Sequence, residues 1–404
     1  MKRSEALAHR IHAQQLDRAE TARAITDADV FDFGVQDTGR DGASWALANR
    51  GVPVRDAAEL EASPDVALAW TLRAAPHYYR RADLPEVLIA TSPLSDQDAA
   101  KRVIGADKPL KEAGIPTLTG LTEVATQLRQ VVTRPMAKGE VSTRLTKRLD
   151  APYLRYCGAC QATHSWEVPF RVGTLYAGLE LEPGTSPPVL HRIASWPKRR
   201  PGPAPDPMAA PQSLQPIRNY LRFLGPATPN DVAAFLDSPV GEIKKHWPED
   251  ALAVSVDGRQ GWVLGEIGEI DHDQELLRLL GGFDLFLQGK DRDVIVPDRA
   301  KHKALWPILG RPGAVLLGTE IVGELAAEDG WQGLHATPRP VDQPVRANPS
   351  AAGSRSGAAG RTSRPEAGRH RRTVMIISRR EWSSRISLNR SRAVVRDHFP
   401  EGRP

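Results

Sequence analysis

The chain has 404 residues, of which 40% are hydrophobic and 25% are charged, values near the average for globular proteins. At roughly 150 residues per domain, this length predicts two to three domains. No stretch reaches the roughly 20 apolar residues of a membrane helix, and the N-terminal MKRSEALAHR lacks the apolar region of a secretory signal. Two cysteines exclude a disulfide scaffold and suit a reducing compartment. We therefore expect a cytoplasmic protein without membrane contact.

The net charge of +5 is unevenly distributed. Residues 325–404 contain 15 Arg, no Lys and 7 acidic residues, a net charge of +8, so residues 1–324 carry a net charge of −3. The basic composition of the whole chain is therefore no evidence that its body binds nucleic acid. Few periodic apolar positions occur in the tail, so we predict that 325–404 is largely disordered. It is either a basic arm that adds nonspecific DNA affinity or a GC-rich sequence read out of frame.

A Pro-rich segment at 196–212 divides the rest of the chain. It has six prolines in 17 residues, which is typical of a stiff, extended linker. Before this linker, the spacing of apolar residues predicts amphipathic helices at 3–17, 41–50 and 119–132.

The segment 213–264 has the pattern of a winged helix-turn-helix. Three helical runs precede two strand-like runs joined by a Gly-containing loop, and Thr228, followed by proline, is a favoured start for the second helix. In such units the third helix enters the major groove and the β-ribbon touches the DNA backbone. The pattern predicts DNA contacts for Lys244 and Lys245 on the third helix and for Arg259 at the ribbon tip.

A weaker version of this pattern lies at 119–181. It predicts DNA contacts for Lys138, Arg144 and Lys147 on the helix that follows the first one. Two alternatives stay open for both units. Basic residues on an exposed helix commonly form a solvated face, and winged helices also bind proteins.

Several enzyme signatures are missing from the sequence. It contains no GxxxxGK[ST], no HExxH, no GxSxG and no strand-linked GxGxxG. These absences argue against an NTPase, a zinc protease, an α/β-hydrolase and a dinucleotide-dependent oxidoreductase.

Cys157, Cys160 and His164 form a CxxC pair followed by a histidine. Two thiolates and an imidazole suit Zn²⁺, which takes four ligands in structural sites. The chain has no third cysteine, so the fourth ligand would be a histidine such as His191, a carboxylate or water. A structural zinc ion is the one metal that the residues themselves suggest, and ordinary core packing of the CxxC pair is the alternative.

The segment Phe33-Gly-Val-Gln-Asp-Thr38 places an amide beside a carboxylate. Gln36 could orient a water molecule or bind a sugar or base without carrying charge. Asp37 could serve as a base or as a helix cap. A polar turn before the 41–50 helix is the alternative.

Several segments together resemble the bacterial winged-helix proteins related to the AlkZ-type DNA glycosylases. The likeness covers roughly residues 5–324, and its last two segments are the most specific. It is carried by GVQDT at 34–38, WALANRG at 45–51, TLRAAPH at 71–77, RNYLRFLGPAT at 218–228, LLGGFDLFLQGKDRDVIVP at 279–297 and KALWPILGRPGAVLLGTEIVG at 303–323.

The resemblance implies a mainly α fold with small β-wings, built as tandem winged helix-turn-helix units in a C-shaped arrangement. We assign 1–115 to the unit that holds the GVQD segment, 116–195 to a second unit, and 213–324 to a third unit with a C-terminal α/β region. The resemblance also implies a monomeric, nucleoid-associated protein that acts on double-stranded DNA, alkylated or crosslinked. It implies that no metal or organic cofactor takes part in the reaction.

The implied activity is that of a monofunctional glycosylase, which hydrolyses the N-glycosidic bond of alkylated purines. The catalytic motif of the resembled family is Gln, an apolar residue, then Gln or Asp. Here the second amide is kept as Gln36, whereas Gly34 stands in place of the first. The hypothesis is that Gln36 orients the water and Asp37 activates it.

The same hypothesis has Arg73 and His77 contact the DNA backbone near the lesion. An intramolecular polar network is the alternative for these two side chains. For the whole protein, the alternatives are a DNA-binding regulator that has lost catalysis with Gly34 and a scaffold whose winged helices bind only proteins.

Overall fold

The computed structural model describes residues 1–18, 24–39, 41–52, 54, 56–265, 268, 270, 273–326 and 337–340. Within these ranges the protein is mainly helical with several small antiparallel sheets, which confirms the predicted class. No helix in the described ranges is both long enough and apolar enough to span a bilayer.

The α-helices of the described residues are α1 (Arg3–Ala13), α2 (Gly42–Ala48), α3 (Ala57–Ala62), α4 (Leu84–Thr91), α5 (Asp96–Arg102), α6 (Asp107–Glu112), α7 (Thr117–Val131), α8 (Lys138–Thr146), α9 (Glu167–Tyr176), α10 (Pro216–Leu224), α11 (Pro229–Leu236), α12 (Val240–Lys245), α13 (Arg292–Ile295) and α14 (His302–Leu305). The strands are β1 (Val35–Gln36), β2 (Val66–Trp70), β3 (Pro76–Arg80), β4 (Met136–Ala137), β5 (Leu154–Cys157), β6 (Ala162–Ser165), β7 (Leu179–Glu182), β8 (Val189–Arg192), β9 (Leu252–Val256), β10 (Arg259–Val263), β11 (Leu277–Leu280), β12 (Gly313–Leu317), β13 (Glu320–Ala326) and β14 (Thr337–Pro340).

The largest sheet joins the first two predicted units. Its order is β1-β3-β2-β7-β8-β4, and Leu68 of β2 lies opposite Leu181 of β7. All five residues of β2 are buried, because helices and strands cover both of its faces. The hydrophobic core around this sheet extends from Ala28 to Leu214. The units at 1–115 and 116–195 therefore share one sheet and one core, which corrects the predicted boundary between them.

The Pro-rich segment 196–212, predicted as a stiff, extended linker, packs on this core. Ala204 and Ala210 are buried within the core. The Ala204 N–H donates a hydrogen bond to the Ser92 hydroxyl at 2.9 Å, and the Gly202 N–H donates one to the Tyr176 carbonyl at 3.2 Å. Because proline has no N–H to satisfy, a Pro-rich chain can be buried with few backbone partners.

The predicted order of three helices and a hairpin is present in α10, α11, α12, β9 and β10. The Thr228 hydroxyl accepts the Asp231 N–H at 3.2 Å, while the Asp231 carboxylate accepts the Thr228 N–H at 2.8 Å. This reciprocal capping box explains why α11 starts where the sequence predicts. Phe33 and Leu72 from the first part of the chain are buried in the core of this unit.

Helix α1 lies in the C-terminal part of the molecule, which corrects its assignment to the 1–115 unit. Leu7 and Ile11 of α1 are buried in a core with Leu280, Phe286 and Trp306. The helical periodicity of 3–17 predicted the apolar face of α1, but periodicity carries no information about which core will cover that face.

Two buried ion pairs tie the segment 284–291 to the N-terminal helices. Arg10 contacts Asp291 at 2.5 Å, with side chains 1% and 3% exposed, and Arg50 contacts Asp284 at 2.8 Å, with both side chains 1% exposed. Both pairs are bidentate, so each guanidinium meets its carboxylate through two nitrogens.

The C-terminal sheet has the order β11-β12-β13-β14. Strand β13 continues to Ala326, and β14 pairs with it in antiparallel register. Both strands contain residues of 325–404, the range that the sequence predicted to be largely disordered, so 325–326 and 337–340 are ordered parts of it. The other residues of that range lie outside the described residues.

We expect Asp291→Asn to lower the free energy of unfolding by roughly 3–5 kcal/mol, because it leaves the buried guanidinium of Arg10 without its counter-ion. Urea denaturation followed by circular dichroism measures this change. The control is Asp293→Asn, which breaks the exposed pair of Asp293 with Arg299. The control should lose less than about 1 kcal/mol. Equal losses in the two variants would contradict the role assigned to Asp291.

Candidate functional site

The candidate site is built on the pairing of β1 with β3. Gln36 lies opposite His77, and Val35 lies opposite Tyr78. Because side chains alternate across a strand, Gln36 shares one face with His77 and Tyr79. Asp37, the next residue along the chain, belongs to the opposite face.

Gln36 is held at both ends of its amide. Its Oε1 accepts a hydrogen bond from Arg73 Nη2 at 2.9 Å, and its Nε2 donates one to the Thr38 hydroxyl at 2.8 Å. The residue is 9% exposed. A primary amide can accept two hydrogen bonds and donate two, so Gln36 keeps one lone pair and one N–H for a further molecule.

Arg73 connects Gln36 to the C-terminal part of the chain. Its guanidinium donates to Gln288 Oε1 at 2.5 Å and lies 4.1 Å above the ring of Phe235. Burial lowers the pKa of Arg73 to about 10, although Asp237 opposes this shift, and the side chain stays charged at neutral pH. Arg73 therefore sits in the intramolecular polar network that the sequence left as an alternative.

Gly34 has no room for a side chain, because Tyr79 fills the adjacent space. A Cβ built on Gly34 would lie 2.5 Å from both Cζ and the hydroxyl oxygen of Tyr79. That hydroxyl shares a 2.8 Å hydrogen bond with the Thr71 hydroxyl, and Tyr79 is 2% exposed. The backbone φ of Gly34 is +86°, a conformation that L side chains rarely adopt. A phenol thus occupies the place where the side chain of residue 34 would begin.

His77 is buried, which contradicts its predicted contact with the DNA backbone. The residue is 3% exposed, and its Nδ1 donates to the Ala75 carbonyl at 2.9 Å. Burial, together with the charge of Arg73, lowers the pKa of His77 to about 3. A neutral, enclosed imidazole offers no charge to a phosphate, so we assign His77 to the interior of the site.

Asp37 contacts the start of α2. Its Oδ1 accepts the N–H of Ala43 at 3.3 Å. Burial, with smaller contributions from Glu61 and Asp41, raises the pKa of Asp37 to about 6 against the opposing effect of this hydrogen bond. The contact matches the helix-cap alternative, and the structure does not bring this carboxylate together with the amide of Gln36.

A cationic cluster, consisting of Arg73, Lys290, Arg292 and Arg311, lies beside the site and was missed in the sequence. Among the described residues, none of the four has a carboxylate partner within 4.0 Å. Burial, together with the charge of Arg73, lowers the pKa of Lys290 to about 8. The signal was present in GKDR at 289–292 and GRPG at 310–313, but nothing local connects these two segments to Arg73.

Arg73 and Asp237 line a small cleft that is partly open to solvent. Its other walls are mostly apolar and include Trp70, Leu72 and Tyr176. The negative charge of Asp237 raises the pKa of both Arg73 and Lys290, against the lowering effect of burial. The sequence placed Asp237 only in a turn between two helices.

The three basic residues predicted around α8 differ in their surroundings. Lys138 pairs with Glu167 at 2.6 Å, and Arg144 pairs with Glu140 at 2.7 Å. Lys147 is exposed and has no ion pair among the described residues. Of these three, Lys147 carries the charge that is freest to meet a phosphate.

Of the three basic residues predicted to contact DNA around α12, again only some are paired with a carboxylate. Lys245 pairs with Glu242 at 2.7 Å, while Arg259 at the exposed hairpin lies 3.6 Å from Asp231. Lys244 is exposed and, in the described part of the chain, forms no ion pair.

Cys157, Cys160 and His164 come together on the β5–β6 hairpin, where one ligand atom of each lies within 4.8 Å of the others. The Cys160 N–H and His164 lower the pKa of Cys157 to about 6. His191, considered in the sequence as a fourth ligand, is not part of this group. Its Nδ1 lies 3.7 Å from Glu180 instead.

The site thus combines a buried amide held by Arg73 with further cationic side chains near Arg73. The model of the AlkZ-like DNA glycosylases matches residues 7–359, and the chain belongs to this family. The match continues past residue 324, where the resemblance in the sequence ends.

Among solved structures, the fold is similar to the Streptomyces sahachiroi DNA glycosylase AlkZ. The TM-score is 0.62 at 19% identity, over 86% of this chain and 93% of that chain. Among curated protein sequences, no significant match is found.

We expect Gly34→Ala to lower the free energy of unfolding by roughly 2–5 kcal/mol, because the new Cβ would overlap the ring of Tyr79. The matched control is Gly258→Ala. Gly258 has a φ of +84° but no atom within 4 Å of its Cβ position, so it measures the backbone strain alone.

The double variant Gly34→Ala/Tyr79→Ala completes a thermodynamic cycle, measured by urea denaturation. The two substitutions should be less destabilising together than the sum of the single effects, by roughly 1–3 kcal/mol. Strict additivity, or a Gly34→Ala effect no larger than that of Gly258→Ala, would show that Tyr79 does not limit residue 34.

Proposed function

We propose that the protein is a monofunctional DNA glycosylase that hydrolyses the N-glycosidic bond of alkylated purines in double-stranded DNA. The observation that carries this proposal is the amide of Gln36, fixed by Arg73 and still able to bind one further molecule, in a chain of the AlkZ-like family. A glycosylase needs a group that orients water against the sugar. A neutral amide can do this without adding a charge beside the cationic base.

The cationic cluster is proposed to hold the phosphates next to the damaged nucleotide. Like charges that approach one another in a partly buried position lower one another's pKa, and an anion between them removes that repulsion. The Nη2 group of Arg73 donates to both Gln36 and Gln288, so in this scheme Arg73 positions the amide and adds charge. Lys290, Arg292 and Arg311 supply the direct contacts.

The wider DNA surface is proposed to come from winged-helix docking. In this scheme α12 enters the major groove, with Lys244 as its free charge, and the β9–β10 hairpin with Arg259 follows the backbone. Lys147 of the α8 region extends the contact. We also propose the C-shaped tandem arrangement that the family implies, with its first two units fused through the six-stranded sheet.

An extruded purine would meet the protein at the mouth of the small apolar cleft beside Arg73, and the cleft would have to widen to admit the base. Extrusion costs a few kcal/mol, and less at a lesion that is already poorly stacked or paired. The apolar walls of the cleft, with Trp70, Leu72 and Tyr176, favour a flat, weakly hydrated base.

The reaction breaks the bond between C1′ of the sugar and the base nitrogen. The electron pair of that bond moves to the base, which leaves as a neutral purine because it carried a positive charge. The water that Gln36 orients forms the new bond to C1′ with its oxygen and then releases one proton. Because the leaving group is already activated, positioning of water supplies much of what catalysis requires.

Two carboxylates are candidates to accept this proton and to stabilise the positive charge on the sugar. Asp37, the base proposed from the sequence, has a pKa near 6 that suits a base at neutral pH. Asp237 lines the same cleft as Arg73. We propose Asp237 for this role, because the side chain of Asp37 points to the other face of β1 and contacts α2.

We expect Gln36→Ala to reduce base release by about 100-fold or more while leaving DNA affinity nearly unchanged. The assay uses duplex DNA with one N7-alkylated guanine, followed by hot alkali, which cuts the strand at abasic sites. Gln212→Ala, at an exposed position remote in sequence, is the control and should retain full activity. Release at the wild-type rate by Gln36→Ala would remove Gln36 from the mechanism.

The same assay separates the two carboxylates. Asp237→Asn should slow base release strongly, whereas Asp37→Asn should keep most of the activity. The reverse pattern would assign the base to Asp37, as the sequence suggested.

For DNA binding, we expect Lys290→Gln to reduce the slope of log K against log salt by about one unit, because one phosphate contact is lost. Wild-type affinity should also fall as pH rises through about 8, where Lys290 loses its proton. Lys290→Arg keeps the charge and should abolish this pH dependence. Fluorescence anisotropy with labelled duplex measures both effects, and an unchanged pH profile in Lys290→Arg would exclude Lys290 from the contact.

The second candidate is a DNA-binding damage sensor without catalysis, and the observation that favours it is the space beside Gly34, which Tyr79 fills. Salt-sensitive binding to the same duplex without base release, repeated with other lesions, would support this function.

A further inference from the structure

The β5–β6 hairpin belongs to a sheet of its own and carries reactive side chains that the proposed reaction does not use. In its register, Cys157 lies opposite Ala162 and Arg155 lies opposite His164. Alternation along the strands therefore puts the side chains of Cys157 and His164 on one face of the hairpin. Cys160 lies in the loop between the strands, which turns back through Gln161 at a φ of +52°.

The imidazole of His164 is held in the form that binds a metal. Its Nδ1 lies 2.8 Å from the Ser165 carbonyl oxygen. A carbonyl can only accept, so Nδ1 must be the nitrogen that carries the proton. The lone pair is then on Nε2, and fixing the tautomer through the other ring nitrogen is how proteins prepare a histidine ligand.

The spacing of the three ligand atoms is close to that of a tetrahedral zinc site. They all lie within 4.8 Å of one another. Two sulfurs bound at 2.3 Å to one tetrahedral ion are about 3.8 Å apart. A contraction of about 1 Å at most, within a short exposed loop, therefore completes the geometry.

We propose that Cys157, Cys160 and His164 bind one Zn²⁺ ion, with water from the solvent in the fourth position. In the described part of the chain, no further histidine, cysteine or carboxylate joins this group, and Cys160 is exposed, so the remaining position faces solvent. Binding releases the remaining thiol protons to solvent, and the two thiolates balance the charge of the ion.

The ion would add a crosslink at the tip of the hairpin, whose base is held by the packing of Leu154 against the core. A two-stranded hairpin is marginally stable in water, and both cysteines are free. The hairpin presents Tyr156, which is 64% exposed, and carries Arg155, whose guanidinium lies 5.2 Å above the ring of Trp166. A metal crosslink across the loop would fix the position of these two side chains.

The test uses the full chain, reduced and freed of metal. Zinc affinity is measured by competition with a chromophoric chelator, and stoichiometry by elemental analysis. We expect one equivalent of Zn²⁺, at least a 10-fold loss of affinity in Cys160→Ser and in His164→Ala, and unchanged binding in the control His191→Ala. Co²⁺ in place of Zn²⁺ should give the thiolate charge-transfer and tetrahedral d–d bands, which disappear in Cys157→Ser.

Three results would overturn the proposal: no zinc bound by the reduced chain, equal zinc binding by the Cys157→Ser/Cys160→Ser variant, or a Cys157–Cys160 disulfide in reducing buffer that leaves no thiolate for zinc. Circular dichroism of each variant shows whether the chain still folds, and Cys160 is the safest position because its side chain is exposed. The experiment measures bound zinc and the Co²⁺ absorption spectrum, so its result does not depend on whether the protein releases bases.

Discussion

The two buried Arg–Asp pairs determine how the candidate site is assembled. Arg10 with Asp291 and Arg50 with Asp284 fix both ends of the segment 284–291 against the N-terminal helices. Between these anchors the chain forms a 3-10 turn, and its last residue, Gln288, receives the hydrogen bond of Arg73. Buried ion pairs add little net stability, but each strongly disfavours any arrangement that separates its partners. They therefore act by specifying one position for this segment.

The site lies where the cores of the molecule meet. Phe33, next to Gly34, and Leu72, next to Arg73, are buried in the core of the α10–α12 unit, although both belong to the first part of the chain. The ring of Phe33 stacks on that of Phe235 at 5.2 Å, and Phe235 also supports the guanidinium of Arg73. A shift between the two parts of the molecule would therefore disturb the Arg73–Gln36 contact directly.

The ring of Tyr79 fills the space beside Gly34, where a side chain of residue 34 would begin, but it offers a phenol instead of an amide. Tyr79 brings a hydroxyl to the place of a missing side chain, but that hydroxyl is shared with Thr71 and enclosed. Gln36 is then the one amide of the motif that can meet a water molecule. Under the proposed function, this arrangement suits a leaving group that is already activated, such as a cationic purine.

The sequence by itself determined the features that depend on short-range interactions. A capping residue marks the helix start at Thr228, and alternating residues around a Gly-containing loop mark the β9–β10 hairpin. Close spacing in the sequence marks the cluster of Cys157, Cys160 and His164. It also singled out Gln36, as an amide next to the carboxylate of Asp37.

Only the tertiary structure decided which partners these elements meet. Arg73 and Gln288 are 215 residues apart, and the six-stranded sheet pairs strands from both sides of a predicted boundary. The burial of His77 and the contact of Asp37 with α2 depend on the register of β1 against β3, because a shift of one residue exchanges the faces of the strand. Local sequence patterns do not encode such long-range pairing. It depends on which apolar surfaces are buried together and on which charged side chains the fold brings into contact.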